Sequence, residues 1–318
     1  MSLSKDLKKI LFCGLENGGK TSILLMLDKR FSLLPTVKPT IKAKRTFHTN
    51  SLLGTSIVRW DLGGQKNYRK IYLGDKSKYF TDMQSIFYVI DIQAPEKFEE
   101  SLMFLKDITA LTTETHPDNF QFLVLLHKYD PDIKNNKTTL KKIEYLQNRI
   151  PSIIKDIKFV IFKTSIYDKG SLLKAFSHGV FYATHKSKMF ETLLKDYMSK
   201  TYNSSMLLLD QNCFIIASRS TNEYYQKICE AIAPRLTQAL EKLEEWDINT
   251  IDIVTNVEFP EKQSEFQKEG IIFLRKLDIN NKRFYMIALC LNKKVKIKAY
   301  EYLPLLANNL KNLLESFD

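Results

Sequence analysis

Apolar runs and helix-spaced segments alternate through the first half of the chain. Ile86-Phe87-Tyr88-Val89-Ile90 and Phe122-Leu123-Val124-Leu125-Leu126 are continuous apolar runs, which suit strands covered on both faces. The pattern predicts strands over 8–13, 41–48, 55–61, 85–91, 120–126 and 158–163. It predicts helices over 20–28, 66–80, 95–112, 138–150 and 169–185. Regular alternation of this kind predicts an α/β doubly wound sheet, with ligands at the carboxyl ends of its strands.

The second half has a different rhythm. A helix over 188–201 precedes strands at 205–210 and 213–218, with Asp210-Gln211-Asn212 as the turn between them. A long helix over 222–245 follows, with Pro234 expected to kink or split it. Strands near 250–258, 270–277 and 284–291 come next, the last two joined by Asn280-Asn281, and a helix over 298–315 closes the chain. The order α-β-β-α-β-β-β-α predicts an antiparallel sheet with helices, an α+β domain. Two domains are therefore expected, 1–187 and 188–318, divided at the charged stretch His185-Lys186-Ser187-Lys188. On helix 222–245, Tyr225, Ile228, Ile232, Arg235, Ala239 and Lys242 fall near one stripe, expected to be core.

Charge sharpens the division. The formal net charge is +12, and all of it lies in residues 1–187; residues 188–318 are balanced. A basic first domain suits a polyanionic ligand. No basic stripe interleaved with aromatics argues for nucleic acid. The four cysteines are scattered and form no C-x-x-C pair, so neither a zinc site nor a disulfide framework is expected. No apolar run is long enough to span a bilayer. Met1-Ser2-Leu3-Ser4-Lys5 has no signal-peptide character, and position 2 is serine where N-myristoylation needs glycine. A cytoplasmic location is expected, with any membrane recruitment made through partners.

The candidate chemistry begins at Gly14-Leu15-Glu16-Asn17-Gly18-Gly19-Lys20-Thr21, which fits G-x-x-x-x-G-K-[ST] between a predicted strand and helix. Glycines let successive backbone N–H groups turn inward on a triphosphate, and the helix N-terminus adds its positive field. Glu16, Asn17, Gly18, Gly19, Lys20, Thr21 and Ser22 are the expected phosphate contacts, with Lys20 reaching the β- and γ-phosphates and Thr21 binding Mg²⁺. Asp61-Leu62-Gly63-Gly64-Gln65 ends the third strand. Asp61 can hold a magnesium-bound water, Gly64 can offer its N–H to a γ-phosphate, and Gln65 can orient an attacking water. Pro39-Thr40-Ile41 precedes the second strand, so Thr40 can close on Mg²⁺ and the γ-phosphate; Thr36 is the rival.

His127-Lys128-Tyr129-Asp130 ends the fifth strand, where small GTPases carry [NT]-K-x-D. Asp130 can accept from guanine N1–H and the exocyclic amine, the Lys128 stem can cover the base, and a neutral His127 can donate to N7. Thr164-Ser165-Ile166 ends the sixth strand, and the Ser165 and Ile166 N–H groups are placed for guanine O6.

These stretches together resemble the Ras superfamily in two of its branches. The P-loop, Pro39-Thr40-Ile41 and Trp60-Asp61-Leu62-Gly63-Gly64-Gln65 resemble the Arf branch. His127-Lys128-Tyr129-Asp130 is similar to the Rag/Gtr branch, as is Thr164-Ser165-Ile166-Tyr167-Asp168 followed by Leu172, Ala175, Ser177 and Val180. The resemblance implies a P-loop small-GTPase fold followed by a roadblock/longin-like domain. It implies binding of GTP and GDP with Mg²⁺, slow hydrolysis through Gln65, and homo- or heterodimerisation through residues 188–318. It further implies an exchange factor, a GTPase-activating protein that supplies an arginine, and scaffold complexes at endomembranes in nutrient signalling. Arg30 and Arg45 are expected at the surface rather than as fingers. Two departures stand out: Glu16 adds a carboxylate beside the γ-phosphate, and Ser2 replaces the acylated glycine of the Arf pattern. A nucleotide-held scaffold with negligible hydrolysis is the main alternative; a P-loop ATPase or kinase is opposed by Asp130.

Overall fold

The computed structural model describes residues 7–52, 55–112, 120–155, 157–181, 185–201, 203–259, 269–279, 282–291 and 301–315. The chain divides into two compact units, Met1–Val180 and Phe181–Asp318. In the first, the strands are β1 (Leu7–Gly14), β2 (Ala43–Leu52), β3 (Thr55–Leu62), β4 (Met83–Asp91), β5 (Gln121–His127) and β6 (Phe159–Thr164). The helices are α1 (Lys20–Leu27), α2 (Lys66–Gly74), α3 (Lys76–Phe80), α4 (Phe98–Thr112), α5 (Lys137–Ile153) and α6 (Lys169–Phe181).

The sheet order is β2-β3-β1-β4-β5-β6. Every pairing is parallel except β2 with β3. Strand order reverses around β1, so a crevice opens at its carboxyl end. Register brings the chemistry to that rim: Phe12 is level with Asp61, Gly14 with Val89, Asp91 with His127, and His127 with Thr164. The central strands read as unbroken apolar runs because helices cover both faces. Phe12 stacks on Phe87 with ring centroids 4.6 Å apart, and Phe176 of α6 also stacks on Phe87. Gly179 lets α6 approach this stack, since a β-carbon there would lie 2.3 Å from Phe87 Cζ.

Helix 66–80 is in fact two helices. Gly74 ends α2, and the Asp75 carboxylate caps α3 by accepting from the Lys78 N–H at 3.3 Å. A terminal glycine followed by an N-capping aspartate is a stop and a start side by side. The segment before α4 is a 3-10 turn at Pro95–Lys97, and another 3-10 helix, Phe31–Thr36, fills the connection between α1 and β2.

The second unit comprises α7 (His185–Thr201), β7 (Asn203–Asp210), β8 (Ile215–Ser220), α8 (Glu223–Glu245), β9 (Asp252–Glu258), β10 (Glu269–Ile279), β11 (Lys282–Cys290) and α9 (Leu303–Glu315). Its sheet runs β8-β7-β11-β10-β9, antiparallel throughout. This α+β architecture fits the expected roadblock/longin-like domain. The expected Asn280-Asn281 turn lies outside the described residues. The stretch expected as the boundary, His185 to Lys188, forms the first turn of α7, where the buried Ser187 hydroxyl donates to Ile216 O at 3.0 Å. That bond ties the turn to β8.

Leu207 and Leu209 of β7 face α8 and join one core cluster with Cys229, Ala233 and Leu240. The alternate residues Met206 and Leu208 point to the opposite face and are buried as well. Pro234 does not break α8. It forfeits one backbone hydrogen bond, and burial of Ala233, Thr237 and Leu240 on either side carries the helix through. Of the expected stripe, Tyr225, Ile228 and Ile232 pack on the core. Arg235, Ala239 and Lys242 are exposed, because Cys229, Ala233, Leu236 and Leu240 complete the inward face instead. All four cysteines are buried and form no disulfide. Among the described residues no helix is long and apolar enough to cross a membrane.

Candidate functional site

Strand β1 runs straight into a loop that only glycine permits at two points. Gly14 has φ +133°, and a β-carbon on it would lie 2.3 Å from Val89 O. Gly19 has φ +89° and lies against the His127 ring. The loop therefore nests between β4 and β5. No side chain caps the N-terminus of α1, which leaves its first-turn N–H groups for an anion. Lys20 folds back over the loop: its Nζ donates to Leu15 O at 2.6 Å and Gly14 O at 3.1 Å. The ammonium is only 6% exposed, and desolvation lowers its pKa against the opposing pull of Asp61. A buried cation whose hydrogen bonds go to carbonyls is strongly favourable for an arriving phosphate. The neighbouring Cys13 thiol is pushed up to about 12 by burial, so it offers no nucleophile.

Three oxygen groups meet beside Lys20. Thr21 Oγ1 donates to Asp61 Oδ2 at 2.7 Å, and Thr40 Oγ1 donates to the same oxygen at 3.0 Å. The two hydroxyls are themselves 2.8 Å apart. Three close oxygen contacts thus share only two hydroxyl protons. Asp61 Oδ1 is buried and makes no hydrogen bond. Two hydroxyls and an under-satisfied carboxylate form a hard donor set, and they fit Mg²⁺. Thr36, the rival of Thr40, turns away and donates to Leu33 O at 3.1 Å within its 3-10 helix.

Gly63 and Gly64 fix the approach of the next loop. A β-carbon on Gly63 would lie 2.4 Å from Thr40 O, and one on Gly64 would lie 2.2 Å from Glu16 N. The two glycines therefore touch both neighbouring loops through backbone alone. Gln65 follows as the half-buried N-cap residue of α2. A cavity of about 330 Å³ is lined by Gly19, Lys20, Thr21, Thr40, Gly64 and Gln65, and it extends to Lys128. Glu16, Asn17, Gly18 and Ser22 also border it, as do Val37, Lys38 and Pro39.

The far rim is built by β4, β5 and β6. His127 is 1% exposed, and its Nδ1 lies 3.0 Å from Thr164 Oγ1. Burial, helped by Lys128, lowers its pKa to about 4, so the imidazole is neutral near pH 7. Lys128 adopts φ +63° and extends Nζ to Asp91 Oδ2 at 2.6 Å. Asp130 accepts from Ser165 Oγ at 2.5 Å on one oxygen and from Gln93 Nε2 at 2.9 Å on the other. The Ser165 N–H donates to Ser171 Oγ at 3.2 Å, so it is the Ser165 hydroxyl that serves this corner. Ile166 sits in the turn that follows.

A family model described as the Gtr1/RagA G protein conserved region matches residues 9–236. The chain belongs to the Gtr1/RagA G proteins. It is a small GTPase of the Arf/Rag type. ADP-ribosylation factor-like protein 3 of Chlamydomonas reinhardtii is 33% identical over 138 residues, 41% of this chain and 71% of that one. ADP-ribosylation factor-related protein 1 of Bos taurus is 30% identical over 143 residues, 41% of this chain and 67% of that one. The Arl6 (BBS3) small GTPase of Trypanosoma brucei, solved with the nucleotide analogue GppNp, overlaps with a TM-score of 0.39 at 20% identity, covering 54% of this chain and 95% of that chain.

Within this Gtr1/RagA protein the rim unites the P-loop, Thr40, Asp61 and Gly64 closely, and Gln65 borders the same cavity. Arg45 is spent elsewhere, its guanidinium 4.0 Å over the Trp60 ring, and Arg30 is exposed. Asp91, Gln93 and Ser171 carry no motif of their own; their parts become visible only through their partners, and Lys38 only through its place on the cavity wall. Asp91 and Gln93 do sit at the carboxyl end of a central strand, which is where a search for further site residues would begin.

Proposed function

We propose that this chain is a guanine-nucleotide switch that holds GTP and GDP with Mg²⁺ and hydrolyses GTP slowly until a partner assists. The observation that carries the proposal is the meeting of Thr21, Thr40 and Asp61 beside the buried Lys20. In this reading the Glu16 to Ser22 amides and the Lys20 ammonium take the phosphates. Thr21 and Thr40 ligate the metal, and Asp61 holds it through water. When bound, Mg²⁺ neutralises charge on the β- and γ-phosphates. Gly64 N–H faces the γ-phosphate, and Gln65 orients water toward it. Asp130 selects guanine, Lys128 covers the base, and His127 and Ser165 hold the corner in shape beside Ile166. Phosphate and metal would add contacts to Thr40 beyond those from Thr21 and Asp61, and that conditional gain makes the switch.

The test is single-turnover hydrolysis of preloaded GTP, with Gln65→Leu alongside. A rate on the order of 10⁻⁴ s⁻¹ is expected, as for unassisted Ras-type domains, and lost in the variant. Equal persistence of GTP in both proteins would sink the hydrolytic reading. It would favour a nucleotide-held scaffold, a reading that the Glu16 carboxylate bordering the cavity also supports.

We also propose that residues 188–318 assemble a homo- or heterodimer. Support comes from β9, the edge strand among the described residues, and the exposed Trp246, Ile248, Ile251 and Val254 near it. Exchange factors, activating proteins and a membrane-associated scaffold would then act on the dimer. Light scattering on the full chain, alone and with candidate partner chains, tests the assembly; a monomer in every mixture would refute it.

A further inference from the structure

We infer that Gln93 is a specificity-positioning residue, which sets the Asp130 carboxylate in the orientation that reads guanine. This rests on the reading that Asp130 is the base selector. Gln93 lies two residues beyond the end of β4 and is held there by its own turn, its N–H donating to Asp91 Oδ1 at 2.8 Å. Its side-chain amide then makes two bonds from a single nitrogen. Nε2 donates to Lys128 O at 3.0 Å and to Asp130 Oδ2 at 2.9 Å. Both partners can only accept, so the chemistry fixes which end of the amide faces them. Lys128 has φ +63°, and the carbonyl that this turn presents is the one Gln93 takes.

Two further bonds join the same elements. Ile92 N–H donates to His127 O at 3.1 Å, and Lys128 Nζ reaches Asp91 Oδ2 at 2.6 Å. The end of β4 thus clamps the 127–130 loop along its length. The consequence lies at the carboxylate. An ionised carboxylate has about four lone-pair sites. Ser165 Oγ takes one on Oδ1, and Gln93 Nε2 takes one on Oδ2. Each oxygen keeps one site, and guanine offers two parallel donors, N1–H and the exocyclic amine. Pinned at both oxygens, the carboxylate cannot rotate out of the plane that a two-pronged donor requires. Hypoxanthine offers only the N1–H and tolerates rotation.

The experiment measures Kd for GDP, IDP and ADP on the full chain, for wild type, Gln93→Ala and Gln93→Glu. Gln93 is exposed, so neither change opens a cavity in the core. Wild type should prefer GDP to IDP and reject ADP. Gln93→Ala should weaken GDP by about fivefold and IDP by less, so the GDP-to-IDP ratio narrows. Gln93→Glu places a carboxylate against Lys128 O and Asp130 and should weaken both nucleotides further than the alanine does. Gln93→Ala with wild-type constants, or with GDP and IDP weakened in equal proportion, would overturn the inference. Failure of wild type to prefer GDP over ADP would instead overturn the base-selector reading beneath it.

Discussion

Gly19 sits directly against the imidazole of His127: a β-carbon on Gly19 would lie 2.6 Å from His127 Cδ2 and 2.8 Å from Nε2. One residue of the 14–21 loop thus touches one residue of the 127–130 loop with no space between them. The ring is fixed from behind by Thr164, so it cannot swing away cheaply.

Gly19→Ala should therefore be costly twice over. A β-carbon at φ +89° is strained by about 1 to 3 kcal/mol, and the methyl collides with a buried ring besides. The expected result is a lower melting temperature and a loss of GDP affinity of about a hundredfold or more. Adding His127→Ser should return part of the affinity by making room, while the strain at φ remains. A Gly19→Ala protein with normal GDP affinity would contradict the packing described here.

His127 also predicts a pH dependence. Its folded pKa is about 4, against an ordinary value of 6.5. Between those values the unfolded chain binds a proton that the folded chain refuses. Stability is therefore full above about pH 6.5 and falls as pH drops toward 4. The shift corresponds to about 3 kcal/mol at most. Urea unfolding at pH 7, 5.5 and 4.5 should show this slope, and His127→Asn should flatten it. An identical slope in the variant would assign the acid sensitivity to other groups.

The parts of this molecule that the sequence makes legible are those where backbone geometry dictates residue type. Gly14 and Gly19 are needed for left-handed or crowded backbone, and Thr21 and Asp61 for their oxygens, so each stands out in a short window. Strands β4 and β5 stand out because burial on both faces leaves no polar position in the run. What stays hidden depends on partners distant in sequence. Gln93 and Asp91 look like the ordinary end of a strand until the 127–130 loop is laid beside them. Lys128 takes a left-handed conformation without being glycine, so nothing in its identity announces the turn. The break at Gly74-Asp75 was local and readable in principle. It was masked by a helical pattern that continues in phase on either side. Ser187 fixes the start of α7 through a hydrogen bond to β8, which no charge pattern reveals.

The oxygen triangle predicts how nucleotide retention depends on metal. Removing one hydroxyl relieves the shortage of protons between Thr21, Thr40 and Asp61. Thr21→Ala should thus leave stability without nucleotide within about 0.5 kcal/mol of wild type. It should nevertheless abolish the gain that Mg²⁺ brings. In wild type, EDTA should speed GDP release by about tenfold or more, since Thr21 and Asp61 would lose the cation that, when held there, offsets phosphate charge. In Thr21→Ala, release should be fast with or without EDTA. Slow, EDTA-sensitive release from the variant would remove Thr21 from the metal site.

Gly64 separates closure from binding. Its backbone is not in the left-handed region, so alanine brings no conformational strain there. The obstacle is the contact: a β-carbon would lie 2.2 Å from Glu16 N and from Leu15 C. Neither partner is a side chain that can rotate aside. Gly64→Ala should therefore keep the Gly63–Gln65 segment from closing on the phosphate loop while leaving that loop intact. GDP affinity should stay within about threefold of wild type, because in the proposed switch GDP binding does not draw on the closed arrangement. Hydrolysis of preloaded GTP should fall by at least about tenfold, since both the Gly64 amide and Gln65 would stand off from the γ-phosphate. Hydrogen exchange should report the same event as faster exchange at the start of α2 in the GTP-loaded variant but not in the GDP-loaded one. If Gly64→Ala hydrolyses GTP at the wild-type rate, closure of this segment is not part of the chemistry.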